Sequence, residues 1–360
     1  MQRGGSDSSN SARLFPSNTA RFGGPEDDKL KSPKQSLRTL RDAVSGVALH
    51  PVAHHARAPA MPAPNETSKM PCLPFTPRTN RFLREIVQIP SDEFTEAIDK
   101  YLTTLPNIAV SGDQLSHFML PKPGTMGYPK AIGMFDNGVQ RWTDSVLGLA
   151  QNVLETIDTS LDQHGFGPDR GGNMACGWGN QNWGAGDFAT HKISEVKVVT
   201  VTMPPWCFAP QDMIEFSQAR PFVNPACFTE DDRVAVASAD KLWARLHDFC
   251  NGHNSHYFIV STYEEWVFGC FTKHWSTGFV GPILSHDSQN PTAFEAILCW
   301  LHSAHGHPSG FEIPKVRARA SSASLPVSLF ESPAFSELPL QFQHKALPHP
   351  HATMALSLMR

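Results

Sequence analysis

All eight tryptophans of this 360-residue chain lie between Trp142 and Trp300, and the first seventy residues carry no large aromatic beyond Phe15 and Phe22. Large aromatics bring the most apolar area per residue, so a core can form only where they occur. The distribution predicts one folded body over residues 71–314, between two tails that cannot offset chain entropy. Residues 1–70 are rich in Ser, Pro, Ala and basic residues, and residues 315–360 are similar. Both are expected to be disordered, with SLRTLRDAVSGVALH in the first forming at most a transient helix.

Charge separates the same regions. Residues 1–70 hold ten basic and six acidic side chains and residues 315–360 hold five and two, which leaves 15 and 26 in the body, a net of −11 within a total of −4. An acidic body is a poor platform for a long nucleic-acid groove, so phosphate contacts are confined to a local patch or the tails, and a protein partner stays open. No uncharged apolar run reaches about 18 residues, so no membrane span is expected. The start, MQRGGSDSSNSARLFP, lacks the apolar stretch of a secretory signal. Seven scattered cysteines without a Cys-x-x-Cys pair read as reduced thiols, mostly core residues, in a cytoplasmic or nuclear protein.

Periodicity gives the elements. Ser91 followed by Phe94, Ile98 and Leu102 reads as an N-cap and an apolar helical stripe, and two short helices fit residues 76–105. With the Pro- and Gly-rich loop that follows, residues 71–135 read as helical decoration ahead of an α/β body at 136–314. The clearest helix is 139–162, where Val139, Trp142, Val146, Leu149, Val153, Ile157 and Leu161 keep a 3–4 spacing. Residues 165–186 are glycine-rich and read as loop. GDFAT and SEVKVVTVT read as strands, PQDMIEFSQAR and DDRVAVASADKLWARLHDFC as helices. HYFIVSTY and EWVFGCFTK form a strand pair turning near Glu264, TGFVGPILS is another strand, and PTAFEAILCWLHSA is a capped helix opened by Pro291. That helix is expected to lay Phe294, Ile297 and Leu301 on a sheet containing Phe258, Val260 and Phe268. The fold class is α/β (α+β), a mixed sheet flanked by helices.

The sharpest chemical signal is Asp187 followed by Glu195-Val196-Lys197. On a regular strand Glu195 and Lys197 share one face while Val196 and Val198 enter the opposite layer. An Asp on the neighbouring strand then completes two carboxylates and an ammonium. That trio suits Mg²⁺-assisted phosphodiester hydrolysis: the carboxylates hold the ion and the lysine offsets charge building on the phosphate. The plainer reading is a solvated strand face.

The run GAGDFATHKISEVKVVTVTMPPW, with a long helix before it and a shorter one after, resembles the core of the PD-(D/E)xK restriction-endonuclease-like superfamily. The stretch HYFIVSTYEEWVFGCFTKHWSTGFVGPIL with its closing helix is similar to mushroom-type fungal proteins, some of which carry a kinase-like domain. The resemblance covers roughly residues 139–314. It implies a restriction-endonuclease-like sheet, Mg²⁺ as cofactor, Asp187 and Glu195 as metal ligands and Lys197 as the catalytic lysine. Gly186 stands where the family usually has proline, and seven residues separate Asp187 from Glu195, so Pro168-Asp169 is an alternative anchor. A catalytically inactive, nuclease-like interaction module is the alternative function.

Lesser patterns have simpler explanations. Glu155 lies opposite the apolar stripe of the long helix and Asp158 borders it, the two positions from which a further acid would come. Gln211 and Gln218 read as helix-surface residues. Cys250, His253 and His256 have zinc-like spacing, which a helix-ending Asn-Gly turn explains equally. His302, His305 and His307 read as cations favourable at a helix C-terminus. His349 and His351 belong to the low-complexity tail. The sequence holds no kinase motif set, P-loop or Gly-x-Ser-x-Gly elbow.

Overall fold

A computed structural model describes residues 38–51, 53–68, 81–110, 118–124, 131–132, 138–168, 175–182, 192–227 and 236–315. The far ends of both expected tails lie outside these residues. In chain order the strands are β1 (Arg38–Thr39), β2 (Ala53–His54), β3 (Glu85–Gln88), β4 (Ala109–Val110), β5 (Ala131–Ile132), β6 (His164–Pro168) and β7 (Ala175–Asn182). They continue with β8 (Lys192–Thr202), β9 (Arg220–Pro221), β10 (Tyr257–Ser261), β11 (Glu265–Phe271), β12 (Thr277–Val280) and β13 (Leu284–Ser285). The helices are α1 (Leu40–Ser45), α2 (Ser91–Thr103), α3 (Gly138–Ile157), α4 (Pro210–Phe216), α5 (Ser238–His253) and α6 (Ala293–His305).

Among the described residues the main sheet runs β6-β7-β8-β10-β11-β12-β3-β9, with β13 also on β11. The pairings β8–β10 and β12–β3 are parallel and the others antiparallel. The fold is therefore mixed α/β, a sheet between two helical layers. Strands β10 and β11 are nearly continuous apolar runs because both of their faces are covered. One face, with Ile259, Trp266, Phe268 and Cys270, meets α2, α3 and α6. The other, with Phe258, Val260, Val267 and Phe271, meets α4 and α5. Phe294, Ile297 and Leu301 do pack on the face of Phe268, but Phe258 and Val260 belong to the opposite layer. Strand alternation separates Phe258 from Ile259, the residue whose register partner is Phe268.

Helix α3 carries its stripe as the spacing predicts, but stops at Ile157 rather than 162. Asp158 accepts a hydrogen bond from the Ser160 amide at 2.9 Å and turns the chain into a short 3₁₀ segment, Thr159–Leu161. At α6 the Thr292 hydroxyl accepts from the Glu295 amide (3.1 Å) and the Glu295 carboxylate accepts from the Thr292 amide (2.9 Å), a capping box one residue after Pro291. At α2 the N-cap is Pro90, and Ser91 is already helical.

Three expectations need correction. The ordered body begins before residue 71. Helix α1 buries Leu40, Ala43 and Val44, and Ser45 donates to Glu295 at 2.6 Å, so it docks on the start of α6. Further along, His54 bonds Glu264 at 2.8 Å, and the Ser68 amide donates to Asp212 at 2.8 Å. Leu40, Val44, Val47 and Leu49 join the core on the α6 face, and polar contacts fasten the rest of the segment to the aromatic body. Secondly, the 71–135 region is not only helical decoration, because β3 adds to the main sheet between β12 and β9. Thirdly, the cysteines are not all thiols. Cys176, Cys250, Cys270 and Cys299 are free and buried, whereas Cys207 is disulfide-bonded. No helix among the described residues is long and apolar enough to cross a membrane.

Candidate functional site

Within the glycine-rich stretch expected to be loop, residues 165–168 and 175–182 belong to the antiparallel strands β6 and β7 of the main sheet. Cys176 and Trp178 alternate with Gly177 and Gly179, a period-two pattern with a single packed face, since Cys176 and Trp178 both enter the α3 layer. Gly179 is required by close approach: a Cβ there would stand 1.8 Å from the Glu195 carbonyl oxygen. The register shows why the strands come so near. Trp178 pairs with Val198 and Gly179 with Val196, which leaves Lys197 as the extra residue of a bulge, and a second irregularity follows at Ser194.

The bulge overturns the expected alternation. Val198 enters the α3 layer while Val196 joins Val199 and Val201 in the opposite one. Glu195 and Lys197 are nevertheless brought together, the ammonium donating to Glu195 Oε1 at 2.6 Å. Glu195 is 63% exposed and Lys197 28%, so solvent screens the pair. The register partner of Glu195 across the strand pair is Asn180. Asp187 falls within residues 183–191 and Asp169 within 169–174, both outside the described residues.

Beneath the bulge, Trp178 is fully buried and donates to Gln151 Oε1 at 2.6 Å, and Gln151 in turn donates to Glu155 (2.9 Å) and to the Leu161 carbonyl (3.0 Å). Glu155 thus supports α3 rather than supplying a free acid. Beside Trp178, at 5.2 Å between rings, sits His164 of β6. Burial lowers its pKa, His305 and Lys197 lower it further, and Glu195 and Asp158 oppose them. His305 meets His164 edge-on at 5.0 Å.

Asp158 also faces His302, with 3.8 Å between Oδ2 and Nε2, and the Tyr101 hydroxyl lies 3.2 Å from His302 Nδ1. His302 is 2% exposed and its pKa falls to about 4, first through burial and then through His307. The helix-end cation reading of His302 therefore fails, because burial keeps it neutral. Sequence reasoning missed His164, which lies between the expected helix and the expected loop, and Asn180, which the loop reading of the glycines hid.

The other patterns do not converge. Cys250 is buried among apolar residues that push its thiol far up, while His256 stacks on Trp275 at 4.5 Å. Gln211 bonds Glu215 along its own helix at 3.3 Å, and the Gln218 carbonyl accepts from Arg220 at 3.3 Å. His349 and His351 lie outside the described residues. Among the described residues no group of three or more His, Cys, Asp or Glu side chains is disposed to hold a metal ion. For Mg²⁺ in particular the described strand residues do not fit. They supply one carboxylate, Glu195, already engaged by Lys197. Comparison with known protein families, curated proteins and solved structures finds no match to this chain.

Proposed function

We propose that the chain is a restriction-endonuclease-like domain that acts by binding, a nuclease-like scaffold serving as an interaction module. The fold reading is supported by a mixed sheet flanked by helices, with α3 packed ahead of the β6–β7–β8 meander and Glu195-x-Lys197 on its third strand. The observation that carries binding over hydrolysis is Asn180 at the register position facing Glu195. Hard divalent ions are held by clustered oxygen donors, usually more than one carboxylate, and an amide carries no charge. The net of −11 over residues 71–314 makes a protein the favoured partner over nucleic acid.

The assay is direct. Purified chain is incubated with single- and double-stranded DNA and RNA in Mg²⁺ or Mn²⁺, beside a Glu195→Ala control prepared identically. No cleavage above the control is expected. Cleavage by the natural chain that Glu195→Ala abolishes would sink the binding reading. It would favour the second one, a Mg²⁺-dependent phosphodiesterase in which Asp187 or Asp169 joins Glu195 and Lys197. The 2.6 Å pairing of Glu195 with Lys197 on one strand is what favours that reading.

A further inference from the structure

The C-terminal end of α6 gathers imidazoles from several parts of the chain. Gly306, at φ +97°, ends the helix in the left-handed conformation and folds the chain back, so the His307 amide donates to the His302 carbonyl at 3.0 Å. The two rings then lie 4.0 Å apart between centroids. Tyr101 of α2 meets both edge-on at 5.7 Å. Asp158, which caps the 3₁₀ turn after α3, reaches His302 at 3.8 Å. His305 continues the row to His164 on β6. One spot thus joins α2, the 3₁₀ turn, β6 and α6 through four histidines.

We infer that this cluster is an acid-sensitive clamp: uncharged imidazoles lock α2, the 3₁₀ turn and β6 onto α6, and their protonation releases those contacts. The groups facing the rings explain the direction. His302 looks onto Tyr101, Asp158, His305 and His307, with the Cys299 thiol near Tyr101. His164 looks onto His305, Lys197, Glu195 and Asp158. His307 looks onto Asp158 and Tyr101. Protonation therefore places several positive charges within ring contact of one another. Asp158 alone offsets them at His302 and His307, and Glu195 adds its charge only at His164, where Lys197 opposes it.

Burial holds His164, His302 and His307 below the ordinary 6.5, His302 down to about 4. The clamped state binds fewer protons than the opened one. Its stability is complete above pH 6.5 and is lost as pH falls from 6.5 towards about 4. The loosened β6 is the edge neighbour of β7, which carries Gly179 and Asn180 against Glu195. The inference stands on the histidine geometry and not on what the Glu195–Lys197 pair does.

The test is amide hydrogen exchange on the full chain at pH 7.5 and pH 5, corrected for intrinsic exchange, with imidazole titration by NMR. Exchange at residues 98–103 and 164–166 should rise about tenfold or more at pH 5, a factor matching about one unit of pKa displacement. Strands β10 and β11 should stay protected. His302→Gln keeps a hydrogen-bonding group toward Tyr101 and should shrink the step. His307→Gln, at a partly exposed ring, serves if the first variant does not fold. Exchange in those segments that is unchanged with pH would overturn the clamp, as would a wild-type step in the folded variants or a His302 ring titrating at 6.5 or above.

Discussion

The β10–β11 centre and the β6–β7 end belong to one sheet but are specified in different ways. Every residue of β11 after Glu265 is buried, and its alternation feeds two cores at once. Strand β7 has a single packed face, glycines where the other face would be, and a bulged partner. The first is held by buried area, the second by close backbone approach under one tryptophan. The residues with chemical potential collect at the second, because a bulge there re-aims Glu195 and Lys197 and leaves them wet.

That contrast ranks the expected mutational effects. Phe268→Ala removes a fully buried ring touching Phe94 and Trp300 and should cost about 3–5 kcal/mol in denaturant unfolding. A loss under about 1 kcal/mol would mean the centre is loosely packed. Gly179→Ala forces a Cβ against the Glu195 carbonyl and should cost about 2–3 kcal/mol, although it adds apolar area. A neutral result would show that the bulge yields easily and that close approach does not specify this end. Thr292→Ala dismantles the α6 capping box and should cost about 1 kcal/mol, a thermal shift of a few degrees. Lys197→Ala should change stability by less than about 1 kcal/mol, because the ion pair is screened. A larger loss would mean that the Glu195–Lys197 pair carries stability at this end of the sheet.

What the sequence made legible follows the same division. The spacing of Val139, Trp142, Val146, Leu149 and Val153 located α3, and the apolar runs at 257–261 and 265–271 located the central hairpin, because burial imposes a period on side-chain type. Strand β7 was not legible as a strand. Gly179 is there for backbone approach, which leaves no side-chain signature, and the glycine-rich composition then suggests loop. The Glu195–Lys197 pairing was legible from i, i+2 spacing, yet the opposite fates of Val196 and Val198 were not, since a bulge is a property of two strands together. Residues 38–68 were misjudged because Leu40, Val44, Val47 and Leu49 join a core built mainly by residues far along the chain, and polar contacts such as Ser45–Glu295 and His54–Glu264 span more than 200 positions.

On the proposed binding reading, the register that pairs Glu195 with Asn180 leaves this strand pair without a second acidic residue. Thermal unfolding with and without Mg²⁺ on the natural chain and on Asn180→Asp tests that reading most directly, because an ion that binds only the folded state raises the midpoint. No Mg²⁺ shift is expected for the natural chain and a clear upward shift for Asn180→Asp, lost again in Asn180→Asp/Glu195→Ala. A Mg²⁺ shift in the natural chain that Glu195→Ala removes would contradict the binding reading.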